Sequence, residues 1–306
     1  TVYGLAADAR NPEAVRQIFA AKGRPADNPL IVHIAKLEEL ESVAVSVPEL
    51  ALKLAEKFWP GPLTMILPKH PSIPTITSGG LDTVGVRMPS HLVARKLIEL
   101  SGVPIAAPSA NISGYPSPTT AQHVMRDMHG KIAAVVDGGD CCVGVESTVI
   151  ALEGEDSVRI LRPGYVTKEM LETVVPHVTL DKAILHQLQE GQIVRSPGMK
   201  YQHYSPHAHV TLIEGRWPEF AAWVQQHAEA GTYALVFDGE GADLSVPYLT
   251  YGTGDAEQAH QVFAKLRELD DIGAKRVFVR APNPNGIGLA VYNRLIRAAG
   301  FEVIQV

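Results

Sequence analysis

The sequence predicts an α/β protein of two units joined by a polar connector, and three observations carry that expectation. The 306 residues exceed what one hydrophobic core usually organises. Over residues 1–185 strand-like runs outnumber helical ones, and several are separated only by Pro and Gly turns. That favours a mixed sheet over strict βαβ winding. Beyond residue 208 strands and helices alternate regularly, the pattern of a smaller Rossmann-like unit of ordinary domain size.

Taken in order, Asn11-Pro12 starts a helix, with Asn as the cap and Pro in the first turn. Val15, Ile18 and Phe19 supply its apolar face, and Gly23 its stop. Residues 30–34 (LIVHI) form a short β-branched run and read as a strand. Residues 50–58 and 92–100 read as helices; 62–68, 83–89, 104–108, 132–137 and 146–152 read as strands. A further helix starts at Thr119-Thr120. Residues 186–208 are polar and lack a sustained period. Their centre, SPGMKYQHYSP, concentrates two tyrosines, a histidine and a lysine, which suits a connector that touches something as well as it suits an ordinary linker. After it come a strand (209–214), a helix (217–230), a strand (233–238) and a helix (255–269) with Ala259, Val262, Phe263, Leu266 and Leu269 on one face. A strand (275–282), a helix (289–299) and a last strand (301–306) complete the chain. The expected domains are therefore 1–185, a connector over 186–208, and 209–306.

Composition excludes several classes. Lys and Arg total 27 against 33 Asp and Glu, a formal charge of −6, with −3 on each side of residue 185. Such a chain is a poor non-specific polyanion binder, because that binding needs many cations to release counterions. No apolar run approaches the ~18 residues needed to span a bilayer. The only cysteines, Cys141 and Cys142, are adjacent, which excludes a disulfide scaffold; they read as small residues beside a strand. The twelve histidines show no HExxH or Cys–His ligand spacing, so no structural zinc site is expected and no metal ligand is assigned. The chain opens at Thr1 directly into TVYGLAADA, so a leading segment is expected to be missing, and the lack of a signal peptide carries no weight.

The densest candidate for chemistry is KGRPADNPLIVH, residues 22–33. Lys22 and Arg24 suit a helix C-terminus, where the dipole favours cations. With Asn28 and a strand ending in His33 they also make an anion cradle. A second candidate is PSANISG: Ser109 and Asn111 follow an apolar strand, where loops bring polar groups to a site, and they also suit a capped turn. Thr83 and Arg87, Ser147 and Thr148, and Arg162 form a scattered third group. Arg87 lies on an otherwise apolar strand and needs an anionic partner, either a substrate carboxylate or an internal Asp or Glu. Gly286-Ile287-Gly288 is a lone Gly-x-Gly, weak as a nucleotide signal.

TVYGLAADA, KGRPADNPLIVHI, WPGPLTMIL, TVGVRMPSH, PIAAPSANISGYPSPTT, VGVESTVI and ILRPG occur in one order across residues 1–165. Together they closely resemble the YrdC-like threonylcarbamoyl-AMP synthase family. SPGMKYQHYSP and the Rossmann-like tail resemble its long, two-domain form. The resemblance implies a twisted open α/β sheet with a positively lined cavity, a lid-like linker and the smaller second domain. It implies a cytoplasmic nucleotidyltransferase that joins L-threonine, bicarbonate and ATP, with Mg2+, into threonylcarbamoyl-AMP and releases pyrophosphate. A tRNA threonylcarbamoyl transferase would be the downstream partner, no membrane is involved, and direct tRNA contact stays open.

The family's Lys-x-Arg and Ser-x-Asn signature falls on Lys22, Arg24, Ser109 and Asn111. By the resemblance the cations neutralise phosphates while Ser109 and Asn111 orient ATP, so catalysis is positioning and electrostatics without a protein nucleophile. Thr1, His33, Arg87 and Ser147 correspond to the threonine pocket, with Arg87 gripping the carboxylate. Asn28, Thr83, Ala107, Ser117 and Arg162 correspond to nucleotide contacts. Tyr201, His203 and Tyr204 would come from the lid, the last two touching ATP and excluding water from a labile anhydride. The chain departs from the family at Ala6, where Gly is frequent, at Gln202, where a basic residue is common, and in the segment before Thr1. The rival reading is an RNA-binding module without catalysis, against which the −3 charge of residues 1–185 argues.

Overall fold

The computed structural model describes residues 1–187 and 203–306. Its first helix, α1 (Pro12–Lys22), forms as local rules dictate. The Asn11 side chain accepts from the amides of Glu13 and Ala14, Pro12 opens the helix, and Gly23 closes it at φ 62°, a conformation that favours glycine. The helix buries Val15, Ile18 and Phe19.

Around it the first unit contributes β1 (Ala7–Asp8), β2 (Ile31–His33), α2 (Glu49–Phe58), β3 (Leu63–Pro68), β4 (Thr83–Arg87), α3 (Leu92–Ser101), β5 (Ile105–Ala106), α4 (Ala121–Met128), β6 (Thr148–Leu152), β7 (Ser157–Arg162), α5 (Lys168–Glu172) and β8 (His177–Leu180). The eight strands lie in the order β1-β5-β2-β4-β3-β6-β7-β8. β2/β4, β3/β6 and β7/β8 pair in parallel and the other neighbours are antiparallel, the mixed sheet expected from turn-linked strands. The second unit runs β9 (His209–Glu214), α6 (Trp217–His227), β10 (Thr232–Val236), β11 (Tyr248–Thr250), α7 (Asp255–Asp271), β12 (Arg276–Arg280), α8 (Gly286–Ala298) and β13 (Val303–Gln305). Its five strands, in the order β11-β10-β12-β9-β13, are all parallel; α6, α7 and α8 make three of the crossovers, and the loop 237–247 joins β10 to β11.

One expectation is corrected, and one weak signal finds a structural place. Residues 132–137 are not a strand: the run has no partner in the sheet order and lines a cavity as a loop, with Val136 exposed. Tyr3 holds its end, accepting from the Gly138 amide and donating to the Gly139 carbonyl. The Gly-x-Gly before the last helix is its first turn, not a nucleotide loop. Gly288 approaches the chain so closely that a Cβ would stand 2.1 Å from the Asn283 carbonyl oxygen.

The two units share their cores. Leu289 of α8 packs into the first unit's cluster, and Val145 packs into the second unit's. Among the described residues no helix is long and apolar enough to cross a membrane.

Candidate active site

Strand register brings the first site residues together. β2 and β4 pair in parallel with His33 opposite Arg87, at the ends where both strands stop. Ile31 and His33 share one face of β2 by the two-residue period, and both line a cavity of about 1240 Å³. Arg87 is buried; its Nε donates to the Gly61 carbonyl at 3.0 Å and one Nη to the Thr1 hydroxyl at 3.0 Å. Burial, then the neighbouring Arg162, lowers its pKa to about 10, which leaves it charged at neutral pH. The same burial, with Arg87 beside it, lowers His33 to about 3, so the ring is neutral and does not compete with Arg87 for an anion.

Ser147 stands just before β6. Its hydroxyl lies 2.8 Å from that of Thr64 and accepts from Arg162 at 3.2 Å, while Arg162 Nε donates to the Ser147 carbonyl at 3.1 Å. Thr148, next along, gives its hydroxyl to the Val166 carbonyl and serves the core.

The loop after β5 forms another wall. Ala107, Ser109 and Asn111 line the cavity, and Lys22 lies under them. Lys22 Nζ donates to the carbonyl oxygens of Ser109 at 2.5 Å and Asn111 at 2.6 Å. Burial, then Arg24, pushes its pKa well below the ordinary lysine range. Lys22 therefore anchors the Ser-x-Asn loop, with the Asn111 Oδ1 a further 3.4 Å from its Nζ. Arg24 is half-buried in the wall, with one Nη directed at the carbonyls of Asn28 and Pro29. Asn111 turns inward, its amide donating to the carbonyls of Ile112 and Tyr115, so the loop is braced from within as well.

His203 and Tyr204 reach the cavity from the connector. Burial, then Arg24, lowers His203 to about 3, and its Nε2 has no hydrogen-bond partner among the described residues. The Tyr204 ring packs 5.1 Å from that of Phe263. Tyr201 and Gln202 lie outside the described residues.

Three expected nucleotide contacts are placed differently from the rest. Thr83 opens β4, about 13 Å along the strand from Arg87, and does not line the cavity. Asn28 is buried behind Arg24. Ser117 is fully buried and donates its hydroxyl to Glu146 at 2.5 Å. Glu146 escaped the sequence reading. It is a buried carboxylate in a cavity whose lining also holds Lys22, Arg24, Arg87 and Arg162. Burial would raise its pKa, but Arg294, then Arg162, with the bonds from Ser117 and Arg294, outweigh burial and hold it below the ordinary range. The only hint in the sequence was an acidic residue beside the Ser-Thr pair. Cys141 and Cys142 are free and also line the cavity, off any strand.

Such a cavity can hold two anionic groups apart and bring them together: a carboxylate at Arg87, a phosphate at Arg24 and the Ser109 loop. The profile of the family described as "Telomere recombination" (Sua5, YciO, YrdC) matches residues 1–164. That described as "Threonylcarbamoyl-AMP synthase, C-terminal domain" matches residues 166–300. A threonylcarbamoyl-AMP synthase of Pyrococcus abyssi is 46% identical over all of this chain and 90% of its own length. One of Bacillus subtilis is 44% identical, again over all of this chain and 89% of its own. The crystal structure of P. abyssi Sua5 complexed with L-threonine superposes with a TM-score of 0.93 at 45% identity, covering 100% of this chain and 90% of that one. The chain belongs to the threonylcarbamoyl-AMP synthase family, in its long form that carries a Sua5/YrdC unit and the C-terminal domain.

Proposed function

We propose that this chain joins L-threonine, bicarbonate and ATP into threonylcarbamoyl-AMP, releasing pyrophosphate, as the first step of tRNA threonylcarbamoyladenosine synthesis. The observation that carries the reading is the pairing of two anion seats in one cavity, Arg87 beside Thr1 and His33, and Arg24 beside the loop that Lys22 anchors. The relative solved with L-threonine supports threonine as the occupant of the first.

The chemistry follows from the charges. The threonine amine attacks bicarbonate, a C–N bond forms, and the carbonyl carbon loses its hydroxyl as water to leave a carbamate. A carbamate oxygen then attacks the α-phosphorus of ATP; an O–P bond forms and the bond to the β-phosphate oxygen breaks. Both reactants are anions, so catalysis rests on holding them and on neutralising charge that builds on the phosphoryl oxygens. Arg87 holds the threonine carboxylate, and the neutral His33 adds no competing charge. Arg24 and Arg162 offset the phosphates, while Ser109 and Asn111 orient the nucleotide. His203 and Tyr204 line the cavity from the connector side and keep water from the mixed anhydride.

Magnesium is expected with the nucleotide. Among the described residues no group of three or more His, Cys, Asp or Glu side chains could hold a metal ion, and both oxygens of Glu146 are engaged. These residues fit an ion carried on phosphate oxygens and water, where it would supply further charge neutralisation, and not a protein cage. The product would pass to a tRNA-modifying transferase. Mass-spectrometric detection of threonylcarbamoyl-AMP after incubation with the three substrates tests the reading; its absence with folded, threonine-binding protein would overturn it.

A further inference from the structure

We propose that Arg267 and Arg294 of the second unit are positioning residues for the active-site loop 109–117, so that the C-terminal domain completes the nucleotide seat. The inference deepens the function proposed above and rests on it.

The loop is gripped from two sides. From the first unit, Lys22 takes the Ser109 and Asn111 carbonyls. From the connector, the Ser205 amide donates to the Gly114 carbonyl at 2.9 Å, and His207 meets the Tyr115 ring edge-on at 4.8 Å. At the next two residues the grip becomes ionic. Arg267 of α7 donates to the Pro116 carbonyl at 2.7 Å while its other donors hold Asp127 at 2.6 and 3.0 Å. Arg294 of α8 donates to Glu146 Oε2 at 2.7 Å, and Glu146 Oε1 accepts the Ser117 hydroxyl at 2.5 Å. Arg294 also donates to the Pro163 carbonyl at 3.1 Å. Two helices of the second unit thus converge on consecutive residues of one loop of the first.

Burial makes this arrangement informative. Arg267 is 2% exposed and Arg294 is fully buried. Apolar side chains of similar volume would dock two domains as well or better, because desolvating a guanidinium is costly. What a planar donor fork adds is direction: it sets the angle and distance of each acceptor. Here the acceptors are Pro116 and, through Glu146, Ser117, at the far end of the loop that carries Ser109 and Asn111. With Lys22 at one end and the arginines at the other, neither end of the loop can shift without breaking buried polar contacts.

The test uses the full chain and two paired variants that remove each buried arginine together with its carboxylate partner, Arg294→Met/Glu146→Gln and Arg267→Met/Asp127→Leu. Hydrogen exchange is read over residues 109–117, and pyrophosphate release is measured with ATP and threonine varied separately. The expected result is faster exchange confined to 109–117 and a rise in the ATP KM on the order of ten-fold or more, with the threonine KM little changed. Arg294→Lys keeps a charge for Glu146 but loses the fork, and its ATP KM is expected to fall between. If one pair does not fold, the other carries the same prediction. Unchanged exchange and an unchanged ATP KM in a folded variant, or an equal rise in both KM values, would overturn the proposal. If the wild-type chain releases no pyrophosphate, the functional reading fails, and exchange alone still judges the positioning.

Discussion

Lys22 Nζ lies 2.6 Å from the carbonyl oxygen of Asn111, and that contact ties the end of α1 to the loop that carries Ser109 and Asn111. With the Ser109 carbonyl at 2.5 Å, the amine is spent on the loop. Lys22→Met leaves both carbonyls without their donor and is expected to destabilise the fold by about 1–3 kcal/mol. Misplacing Ser109 is expected to lower product formation on the order of 100-fold. Lys22→Arg is expected not to rescue, since a wide planar fork does not fit a seat built for one small amine. Thermal denaturation and product assays check both; a wild-type rate in folded Lys22→Met would contradict the role.

Arg87→Ala removes the buried guanidinium beside Thr1. Losing a charge-assisted contact of about 1.5–3 kcal/mol corresponds to a rise in the threonine KM of roughly 10- to 100-fold. The ATP KM is expected to stay near wild type. Titration of threonine at saturating ATP measures this, and an unchanged threonine requirement would remove Arg87 from the pocket.

Arg24→Ala is expected to abolish adenylate formation while threonine still binds, because Arg24 lines the cavity at the opposite seat, beside the carbonyls of Asn28 and Pro29. Calorimetric binding of threonine to the variant separates the two functions. Loss of threonine binding together with activity would show that the seats are not independent.

How much of this was readable beforehand depended on distance along the chain. The cap at Asn11, the stop at Gly23 and the strand ending in His33 are local, and the residues alone announce them. The run at 132–137 has a strand's composition, yet composition does not say whether a sheet edge is free to receive it. β7 went unassigned although Val158 and Ile160 alternate as a half-buried strand requires, and β11, three residues long, is too short for a period. At the site, Arg87, Ser147 and Arg162 were legible as polar residues among apolar ones. Glu146, Arg267 and Arg294 were not, because Glu146 meets Arg294 across 148 residues and Ser117 across 29, and Arg267 meets Asp127 across 140, in pairings that only the folded chain reveals.

Two half-buried histidines make stability depend on pH. His33 and His203 both have native pKa values near 3, below the ordinary value of 6.5. A lowered histidine contributes its full stability above the unfolded pKa and loses it as pH falls from 6.5 toward 3. From pH 6.5 to 5 the loss is about 2 kcal/mol per ring. Urea midpoints at pH 7.5 and 5.0 measure the slope, and His33→Gln is expected to flatten it. An equal slope in that variant would show that His33 is not buried neutral.

The central claim is that one cavity couples threonine to ATP through a carbamate, and pyrophosphate release tests it most directly. The wild-type chain is given ATP and each of the twenty amino acids in turn, with and without bicarbonate. The account predicts release with threonine and bicarbonate together, and little with either alone. Release that ignores bicarbonate, or that proceeds equally without threonine, would contradict it.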